Sequence, residues 1–239
     1  MPDTAPILPA LILAAGRGER MRPLTDTTPK PLLQVHGKPL IAWHLEALAR
    51  DGVRDVVINT AHLEEQFEPR LGDGSRWGLR IHYSHERADH GGALETAGGI
   101  AKALPLLGKA FWVLAGDVFV PDFRFSPEAA QRFGASKDWG HLWLVPNPAH
   151  NPKGDFGLTA DGRVVPKTDL PADTPGWTYS TIGLYRPEMV ATVTAGEAAA
   201  LKPCLDRAIG AGRLAGALYE GRWTDVGTPQ RLQQLNEAA

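Results

Sequence analysis

The feature that most constrains the fold is a short apolar run that leads directly into a glycine-rich loop. Residues Ile7–Ala15 are apolar throughout, and Gly16 follows at once. A run of this length that ends at a glycine predicts a buried β-strand. The loop from Gly16 to Pro31 is polar, and its glycines permit positive φ and close approach of the backbone to a ligand. Because successive backbone N–H groups in such a loop can bind an anion, the pattern predicts a phosphate site at the end of the strand.

Strand and helix patterns alternate along the first half of the chain. Apolar residues at helical spacing predict a helix over Pro39–Asp51, and β-branched residues predict a strand over Asp55–Thr60. A helix over Gly92–Leu107 and a strand over Phe111–Ala115 repeat that order. Such alternation predicts an α/β fold with a mainly parallel sheet.

The second half of the chain is less regular. Its predicted elements are a strand over His141–Val145, a hairpin over Asp155–Val165, strands over Trp177–Tyr185 and Leu214–Tyr219, helices over Pro187–Val193 and Ala199–Ile209, and a closing helix over Pro229–Glu237. The sequence contains no internal repeat, no low-complexity tract and no clear linker. We therefore expect a single domain over residues 1–239.

Composition and charge exclude several broad classes of function. The 239 residues carry a formal net charge of −2, so the chain lacks the basic excess of proteins that bind nucleic acid along its backbone. No segment approaches the ~20 consecutive apolar residues that span a bilayer, and the N-terminal region does not resemble a signal peptide. A single cysteine, Cys204, rules out an internal disulfide and suits a reducing compartment. We expect a cytoplasmic protein without nucleic-acid or membrane partners.

Basic residues follow the first glycine of the loop, namely Arg17, Arg20, Arg22 and Lys30. Together with the loop they predict a polyphosphate site. The loop is not a P-loop, because no Gly-Lys-Ser/Thr follows, and it lacks the third glycine of the dinucleotide fingerprint. Pro29 and Pro31 restrict the backbone on both sides of Lys30 and so hold its ammonium group in place. The alternative interpretation is a surface turn whose arginines are solvated.

The phrase Ala14-Ala-Gly-x-Gly-x-Arg-Met21, followed by Pro29-Lys-Pro-Leu32, resembles the sugar-1-phosphate nucleotidyltransferase family. Members of that family have an α/β fold built on a Rossmann-like mixed sheet flanked by helices. They join a nucleoside triphosphate to a sugar 1-phosphate and release pyrophosphate. The resemblance implies that Arg20 and Lys30 are catalytic and hold phosphates. The nucleotide-binding residues it implies are Ala14, Ala15, Gly16, Gly18, Glu19, Arg20, Lys30, Asn59, Thr96 and Ala115.

Two aspartates are candidate metal ligands. Asp117 follows Gly116 at the carboxyl end of a predicted strand, and Asp225 precedes the closing helix. A lone aspartate at such a position is commonly a turn or cap residue. The resemblance implies instead that both hold Mg²⁺ and that Asp117 is catalytic. Two carboxylates suffice, because Mg²⁺ keeps several waters and binds phosphate oxygens as well.

The sugar site is expected in the second half of the chain. The phrases Leu71-Gly-Asp-Gly-Ser-Arg-Trp-Gly78 and Asn147-Pro-Ala-His-Asn-Pro-Lys-Gly-Asp-Phe156 resemble the branch of the family that acts in bacterial cell-wall recycling. That resemblance implies that Asn147, Gly154 and Asp155 lie near the sugar phosphate. It also implies a nucleotide part over about 1–120 and a sugar part over about 121–239. A further phrase, Leu94-Glu-Thr-Ala97, departs from the wider family at Glu95, where many relatives carry glycine.

The resemblance implies transfer of UMP from UTP to N-acetylmuramate 1-phosphate, and we expect the chain to act as a monomer. The same chemistry with mannose 1-phosphate and GTP, or with glucose 1-phosphate and dTTP or UTP, stays open. A second alternative also stays open, namely a protein without catalytic activity that binds a nucleotide sugar and regulates a partner. The retained Arg20, Lys30, Asp117 and Asp225 argue against that last alternative.

Overall fold

Alternating strands and helices make up most of the computed structural model, which describes residues 7–171 and 174–238. Within these ranges the strands are β1 (Ala10–Leu13), β2 (Gln34–Val35), β3 (Lys38–Pro39), β4 (Asp55–Thr60), β5 (Arg80–His85), β6 (Phe111–Ala115), β7 (Val118–Phe119), β8 (Gly140–Val145), β9 (Phe156–Leu158), β10 (Val164–Pro166), β11 (Thr178–Tyr185), β12 (Leu214–Leu218) and β13 (Thr224–Asp225). The α-helices in the same ranges are α1 (Leu40–Arg50), α2 (Phe67–Leu71), α3 (Glu86–His90), α4 (Glu95–Leu107), α5 (Pro127–Ala135), α6 (Lys202–Gly210) and α7 (Pro229–Glu237).

A seven-stranded sheet in the order β12-β8-β11-β6-β1-β4-β5 forms the centre of the molecule. Strand β1 pairs in parallel with β4 and β6, and β4 pairs in parallel with β5. Strand β11 runs antiparallel to β6 and β8, while β12 is parallel to β8. The predicted mainly parallel mixed sheet is therefore confirmed. Strands from both halves of the chain lie side by side in it.

The register of the parallel strands places their carboxyl ends at one edge. Leu13 of β1 is paired with Asn59 of β4 on one side and with Ala115 of β6 on the other. The glycine-rich loop therefore leaves β1 directly beside the segments that follow β4 and β6. In parallel α/β sheets ligands bind at this edge, because loops converge there while helices cover the faces.

Both faces of the sheet are buried. Ile12 of β1 packs into one apolar cluster with Trp112 and Leu114, whereas the neighbouring Leu11 packs into a second cluster with Val113 and residues of α4. Because side chains alternate between the faces of a strand, a strand covered on both sides must be apolar at every position. This explains why β1 and β6 read as continuous apolar runs rather than as alternating patterns.

Several helices differ from their predicted bounds. Helix α4 begins at Glu95 rather than Gly92, because the preceding residues form the short helix α3 and Gly91 ends it with a φ of 81°. Helix α6 begins at Lys202 rather than Ala199, since the N–H and the carbonyl of Ala199 form backbone hydrogen bonds with the start of α4 instead. Residues Pro187–Val190 form a 3₁₀ turn and not a longer helix. The predictions of a helix from Gly92 and from Ala199 were thus wrong at those ends.

Helix α5 was not predicted, although its start carries a signal. Ser126 accepts a hydrogen bond from the Ala129 backbone N–H, and Pro127 occupies the first helical position. Over the described ranges, no helix combines the length and apolar character that crossing a bilayer requires. Residues 1–6, on which the expectation about a signal peptide rests in part, lie outside the described residues.

Candidate active site

Two adjoining cavities open at the carboxyl edge of the sheet. The larger has a volume of about 700 Å³, and its lining includes the predicted residues Ala15, Gly16, Asn59, Thr96, Ala115, Asp117, Gly154 and Asp155. The smaller, of about 410 Å³, is lined in part by the predicted residues Ala14, Gly16, Gly18, Glu19, Arg20, Lys30 and Asp117. Gly16 and Asp117 line both, so they stand where the two cavities meet.

The glycine-rich loop forms one wall of the smaller cavity. Gly18 adopts a left-handed conformation with a φ of 63°, and a Cβ atom there would lie 2.9 Å from Cγ2 of Thr25. Both the conformation and the lack of space require glycine at this position. Arg17 and Arg20 are exposed and form no ion pair within the described residues, whereas Arg22 pairs with Asp26. The loop therefore keeps positive charge available for an anionic ligand.

Lys30 and Asp117 form an ion pair between the loop and the end of β6. Lys30 Nζ lies 2.7 Å from Asp117 Oδ2, with the lysine side chain 9% and the aspartate side chain 39% exposed. Lys30 is carried on a 3₁₀ turn that starts directly after Pro29. This backbone holds the ammonium group at the junction of the cavities. Since Asp117 is still partly exposed, its carboxylate has room for a further ligand.

The backbone brings Asp225 next to Asp117, but its carboxylate has other partners. Strand β13 pairs antiparallel with β7, and the Val226 N–H donates to the Asp117 carbonyl at 2.9 Å. The Asp225 carboxylate pairs with Arg231, and its Oδ1 lies 3.0 Å from His150 Nε2. These side chains line a separate cavity of about 390 Å³. Asp225 does not line either cavity of the candidate site.

The two predicted metal ligands, Asp117 and Asp225, are a pair of carboxylates without a third protein ligand among the described residues. Among the described residues no group of three or more His, Cys, Asp or Glu side chains is placed to hold a metal ion. Mg²⁺ needs no such cage, because one or two carboxylates together with phosphate oxygens and waters complete its coordination. Asp117 lies at the junction of the cavities. Asp225 lies close to the smaller cavity, because Gly227 lines that cavity and a Cβ atom on Gly227 would be 2.9 Å from Asp225 Oδ2. To hold a metal ion, Asp225 would have to exchange Arg231 and His150 for it.

A buried polar network that the sequence did not predict holds the start of the loop. Asn59 Oδ1 accepts from the Ala14 N–H at 2.7 Å, and Asn59 Nδ2 donates to Glu86 Oε1 at 2.6 Å. The second oxygen of Glu86 accepts from the Leu94 N–H at 2.7 Å. Burial raises the pKa of the Glu86 carboxyl. Asn59 therefore joins the ends of β1 and β4 to the segment before α4, and it lines the larger cavity as well.

The residues predicted near the sugar phosphate divide into two groups. Gly154 and Asp155 line the larger cavity, and Asp155 Oδ2 accepts from the Tyr179 N–H at 2.8 Å. Asn147 does not line it. Its amide group donates to the Gly176 carbonyl at 2.7 Å, and its Oδ1 accepts from the Thr178 hydroxyl at 2.9 Å. In this structure Asn147 holds the loop that carries Gly154 and Asp155.

Most of the chain matches a single protein family. The family model described as nucleotidyl transferase matches residues 9–239. The chain belongs to this family. Over 236 residues the chain is 50% identical to the N-acetylmuramate alpha-1-phosphate uridylyltransferase of Neisseria meningitidis serogroup B, an alignment that covers 96% of this chain and 97% of the relative. A protein with the same description from Caulobacter vibrioides is 34% identical, with 92% of both chains covered.

Solved structures support the fold of this nucleotidyl transferase. A putative glucose-1-phosphate thymidylyltransferase from Bacillus anthracis superposes with a TM-score of 0.80 over 95% of this chain and 93% of its own, at 22% identity. The predicted Rossmann-like α/β fold is confirmed. The predicted resemblance to the sugar-1-phosphate nucleotidyltransferases is confirmed by the family match and by the two relatives.

The far wall of the larger cavity consists of residues that the sequence did not single out for this site. They are Phe156, Tyr179, Thr181, Leu201, Lys202 and Leu205. These residues come from β9, β11 and the start of α6, which lie far apart in sequence. Only the packing of the second half of this nucleotidyl transferase against the sheet brings them together. Glu95, the departure noted in the sequence, also lines the cavity and has a φ of 56°.

Thr181 is strained at the wall of this cavity. Its φ is 67°, a conformation that is rare and costly for a β-branched residue. The pairing of β11 with β8 shifts register between Tyr179 and Gly183, so Thr181 lies in an irregularity of the strand. Its Oγ1 is buried and has no hydrogen-bond partner in the part of the chain that the structure describes.

Thr181→Gly is therefore expected to raise the free energy of unfolding by about 1 kcal/mol, because glycine adopts this φ without strain and the unpartnered hydroxyl is removed. Urea denaturation followed by circular dichroism measures the change. Thr181→Ala is the matched control, since it removes the hydroxyl but keeps a Cβ atom. The alanine variant should be less stable than the glycine variant. Equal stability of the two would show that backbone strain at this position contributes nothing.

Proposed function

We propose that this nucleotidyl transferase transfers UMP from UTP to N-acetylmuramate 1-phosphate, giving UDP-N-acetylmuramate and pyrophosphate. The observation that carries the proposal is the 50% identity to the N-acetylmuramate alpha-1-phosphate uridylyltransferase of N. meningitidis over nearly the full length of both chains. Two adjoining cavities that meet at Asp117 support it, because the reaction must hold two phosphorylated substrates side by side.

In this proposal the nucleotide occupies the space beside the glycine-rich loop. Backbone N–H groups of the loop, together with Arg20 and Lys30, bind the triphosphate. Asn59 keeps the loop in place through its bond to Ala14 and contacts the nucleoside from the floor of the larger cavity. Thr96, at the start of α4, faces the base. The remaining predicted residues Ala14, Ala15, Gly16, Gly18, Glu19 and Ala115 shape this part of the site.

The acceptor in this proposal lies at the other end of the larger cavity, against Gly154 and Asp155. We assign residues of about 121–239 to sugar binding and residues of about 1–120 to nucleotide binding, within one domain. Asn147 acts as a positioning residue for the sugar loop. We further propose that the chain acts as a cytoplasmic monomer, for which the near-neutral charge and the single cysteine are suitable.

The chemistry requires no general base. The attacking atom is an oxygen of the sugar phosphate, whose second pKa is ~6, so the group is mostly a dianion at neutral pH. This oxygen forms a bond to the α-phosphorus of UTP while the bond from that phosphorus to the bridging oxygen of the β-phosphate breaks. Pyrophosphate leaves in line.

The barrier arises mainly from bringing two anionic phosphates together, so fixed cations and correct positioning supply the catalysis. Lys30 lies at the junction where the two phosphates would meet, and Arg20 faces the leaving group. We propose that Asp117 and Asp225 hold Mg²⁺. When bound, that ion neutralises negative charge on the phosphates.

A panel of substrates tests the proposed function. UTP, GTP and dTTP are each combined with N-acetylmuramate 1-phosphate, N-acetylglucosamine 1-phosphate, mannose 1-phosphate and glucose 1-phosphate, and release of pyrophosphate is followed. The pair of UTP and N-acetylmuramate 1-phosphate should give the highest kcat/KM. Turnover of another pair without this one would overturn the substrate assignment. A complete lack of turnover, with binding of a nucleotide sugar retained, would favour a regulatory protein.

Removal of divalent metal is expected to stop turnover, because only Lys30 and Arg20 then offset the negative charge of the two phosphates and of Asp117. The protein is dialysed against EDTA, and pyrophosphate release is measured before and after addition of MgCl₂. Mg²⁺ should restore the rate, whereas KCl of equal ionic strength should not. Full activity in chelator, with no metal found by elemental analysis, would contradict the metal assignment.

A further inference from the structure

The larger cavity carries an unbalanced set of charges on its wall. Among its described lining residues the ionisable acids are Glu95, Asp117 and Asp155, and the one basic side chain is that of Lys202. Lys30 and Arg20 belong to the lining of the smaller cavity. An anionic group at the sugar end of the larger cavity therefore has a single cation within the described wall with which it can pair.

Lys202 is well placed to serve such a group. It is the first residue of α6, and its neighbours Leu201 and Leu205 line the same wall. Its Nζ lies 6.0 Å from the centre of the Phe156 ring, so its side chain lies on the same wall as that ring. Leu13 and Gly16, from the nucleotide part of the chain, line the same cavity.

The partner that Lys202 has in this structure is a weak one. Its ammonium group pairs with Asp206, one helical turn further along α6, and the two side chains are 64% and 52% exposed. An exposed pair of this kind contributes little to stability, because water screens it and both side chains lose conformational freedom. The ammonium group can therefore turn from Asp206 to a ligand in the cavity at little cost.

The acceptor of the proposed function has two anionic groups. The phosphate on C1 must reach the α-phosphorus of the nucleotide, at the junction marked by Lys30 and Asp117. The second is the carboxylate of the lactyl ether on C3, two ring positions from the carbon that carries the phosphate. When the phosphate is at the junction, this carboxylate points away from it toward the sugar end of the larger cavity. A carboxylate there, among acidic side chains, is unfavourable unless a cation meets it.

We propose that Lys202 binds the lactyl carboxylate and thereby selects N-acetylmuramate 1-phosphate over hexosamine phosphates that lack it. This inference rests on the proposed function. Lys202 is a specificity residue and takes no part in the chemistry, because the reacting phosphorus lies at the other end of the cavity. Its effect should therefore appear in KM for the acceptor and leave kcat nearly unchanged.

The test compares two acceptors that differ only in the lactyl group. N-acetylmuramate 1-phosphate carries it, whereas N-acetylglucosamine 1-phosphate has a hydroxyl at the same carbon. Lys202→Met keeps the apolar stem beside Phe156 and removes the charge. We expect kcat/KM for N-acetylmuramate 1-phosphate to fall about 10-fold, through KM, and the value for N-acetylglucosamine 1-phosphate to stay within a factor of two. If turnover of N-acetylglucosamine 1-phosphate is too slow to follow, its inhibition constant against N-acetylmuramate 1-phosphate replaces kcat/KM.

Two further variants complete the experiment. Lys202→Arg should retain most of the preference, since it keeps the charge. Lys109→Met is the matched control, because Lys109 is exposed in the turn before β6, at the opposite edge of the sheet from the cavities. Equal losses for both acceptors in Lys202→Met, or no loss for either, would overturn the role of Lys202. Failure of the unaltered protein to use N-acetylmuramate 1-phosphate would instead overturn the proposed function.

Discussion

Asp117→Asn is expected to lower kcat for pyrophosphate release by about 10³-fold, because asparagine keeps the shape of the side chain but removes the negative charge that would hold a metal ion beside the reacting phosphates. The same change weakens the ion pair with Lys30, which lies 2.7 Å away. One amide oxygen remains as an acceptor for the ammonium group, so the loss of folding stability should be only about 1 kcal/mol. Steady-state kinetics and urea denaturation on the same preparation separate the two effects.

Asp122→Asn is the matched control for this variant. Asp122 lies on the segment that follows β7, is exposed, and lines neither cavity. Its Oδ2 is 2.7 Å from Nε of Arg222. Its removal should leave kcat unchanged. Turnover by Asp117→Asn close to that of the unaltered protein would contradict both the metal assignment and the catalytic role of Asp117. A collapse of stability in Asp117→Asn would instead show that the pair with Lys30 is chiefly structural.

Gly99→Ala is expected to have the second large effect, on stability and on nucleotide binding together. A Cβ atom on Gly99 would lie 2.5 Å from Glu86 Oε1 and 2.6 Å from Asn59 Nδ2, closer than real contacts allow. Because these two groups are buried and bonded to each other, they cannot move aside without breaking the network that holds Ala14. We expect a loss of about 2–3 kcal/mol in the free energy of unfolding and about a 10-fold rise in KM for UTP.

The control for this prediction is a glycine in another helix. A Cβ atom on Gly134 of α5 would meet nothing within 4 Å, so Gly134→Ala should be neutral or stabilising by about 0.5–1 kcal/mol. Thermal and urea unfolding of the two variants gives the comparison directly. Unchanged stability of Gly99→Ala would mean that α4 shifts at no cost. If Gly99→Ala is less stable but its KM for UTP is unchanged, the hydrogen-bond network of Asn59 and Glu86 does not contribute to nucleotide binding.

Local patterns identified several elements with their correct bounds. The strands Asp55–Thr60 and Phe111–Ala115 and the closing helix Pro229–Glu237 have their predicted bounds. The physical reason is that their signals are local: an apolar run covered on both faces, or a Thr228 cap followed by proline. Bounds were wrong where a distant backbone segment competes, as at α4 and α6: Ala199, three residues before α6, forms backbone hydrogen bonds with the first turn of α4.

Residues of the candidate site could be predicted where they belong to short continuous sequence motifs. The loop residues and Asp117 line the cavities as expected, because a strand end and a glycine-rich turn place them there whatever the rest of the chain does. Asn147 lies behind its loop, and Asp225 faces other partners. In both cases the residue type is suited to ligand binding, but hydrogen-bond partners from distant segments take up its polar atoms.

Local sequence patterns were enough to predict a mainly parallel α/β sheet, a glycine-rich loop that leaves its first strand, and a restricted backbone on both sides of Lys30. These follow from hydrophobic periodicity and backbone restriction, which act over a few residues. Three features arise only in the folded chain: Glu86 and Asn59 hold that loop, the backbone of Thr181 is strained, and Lys202 lies on the wall of the larger cavity. Such contacts join residues far apart in sequence, and their partners are chosen when the sheet and its helices pack together.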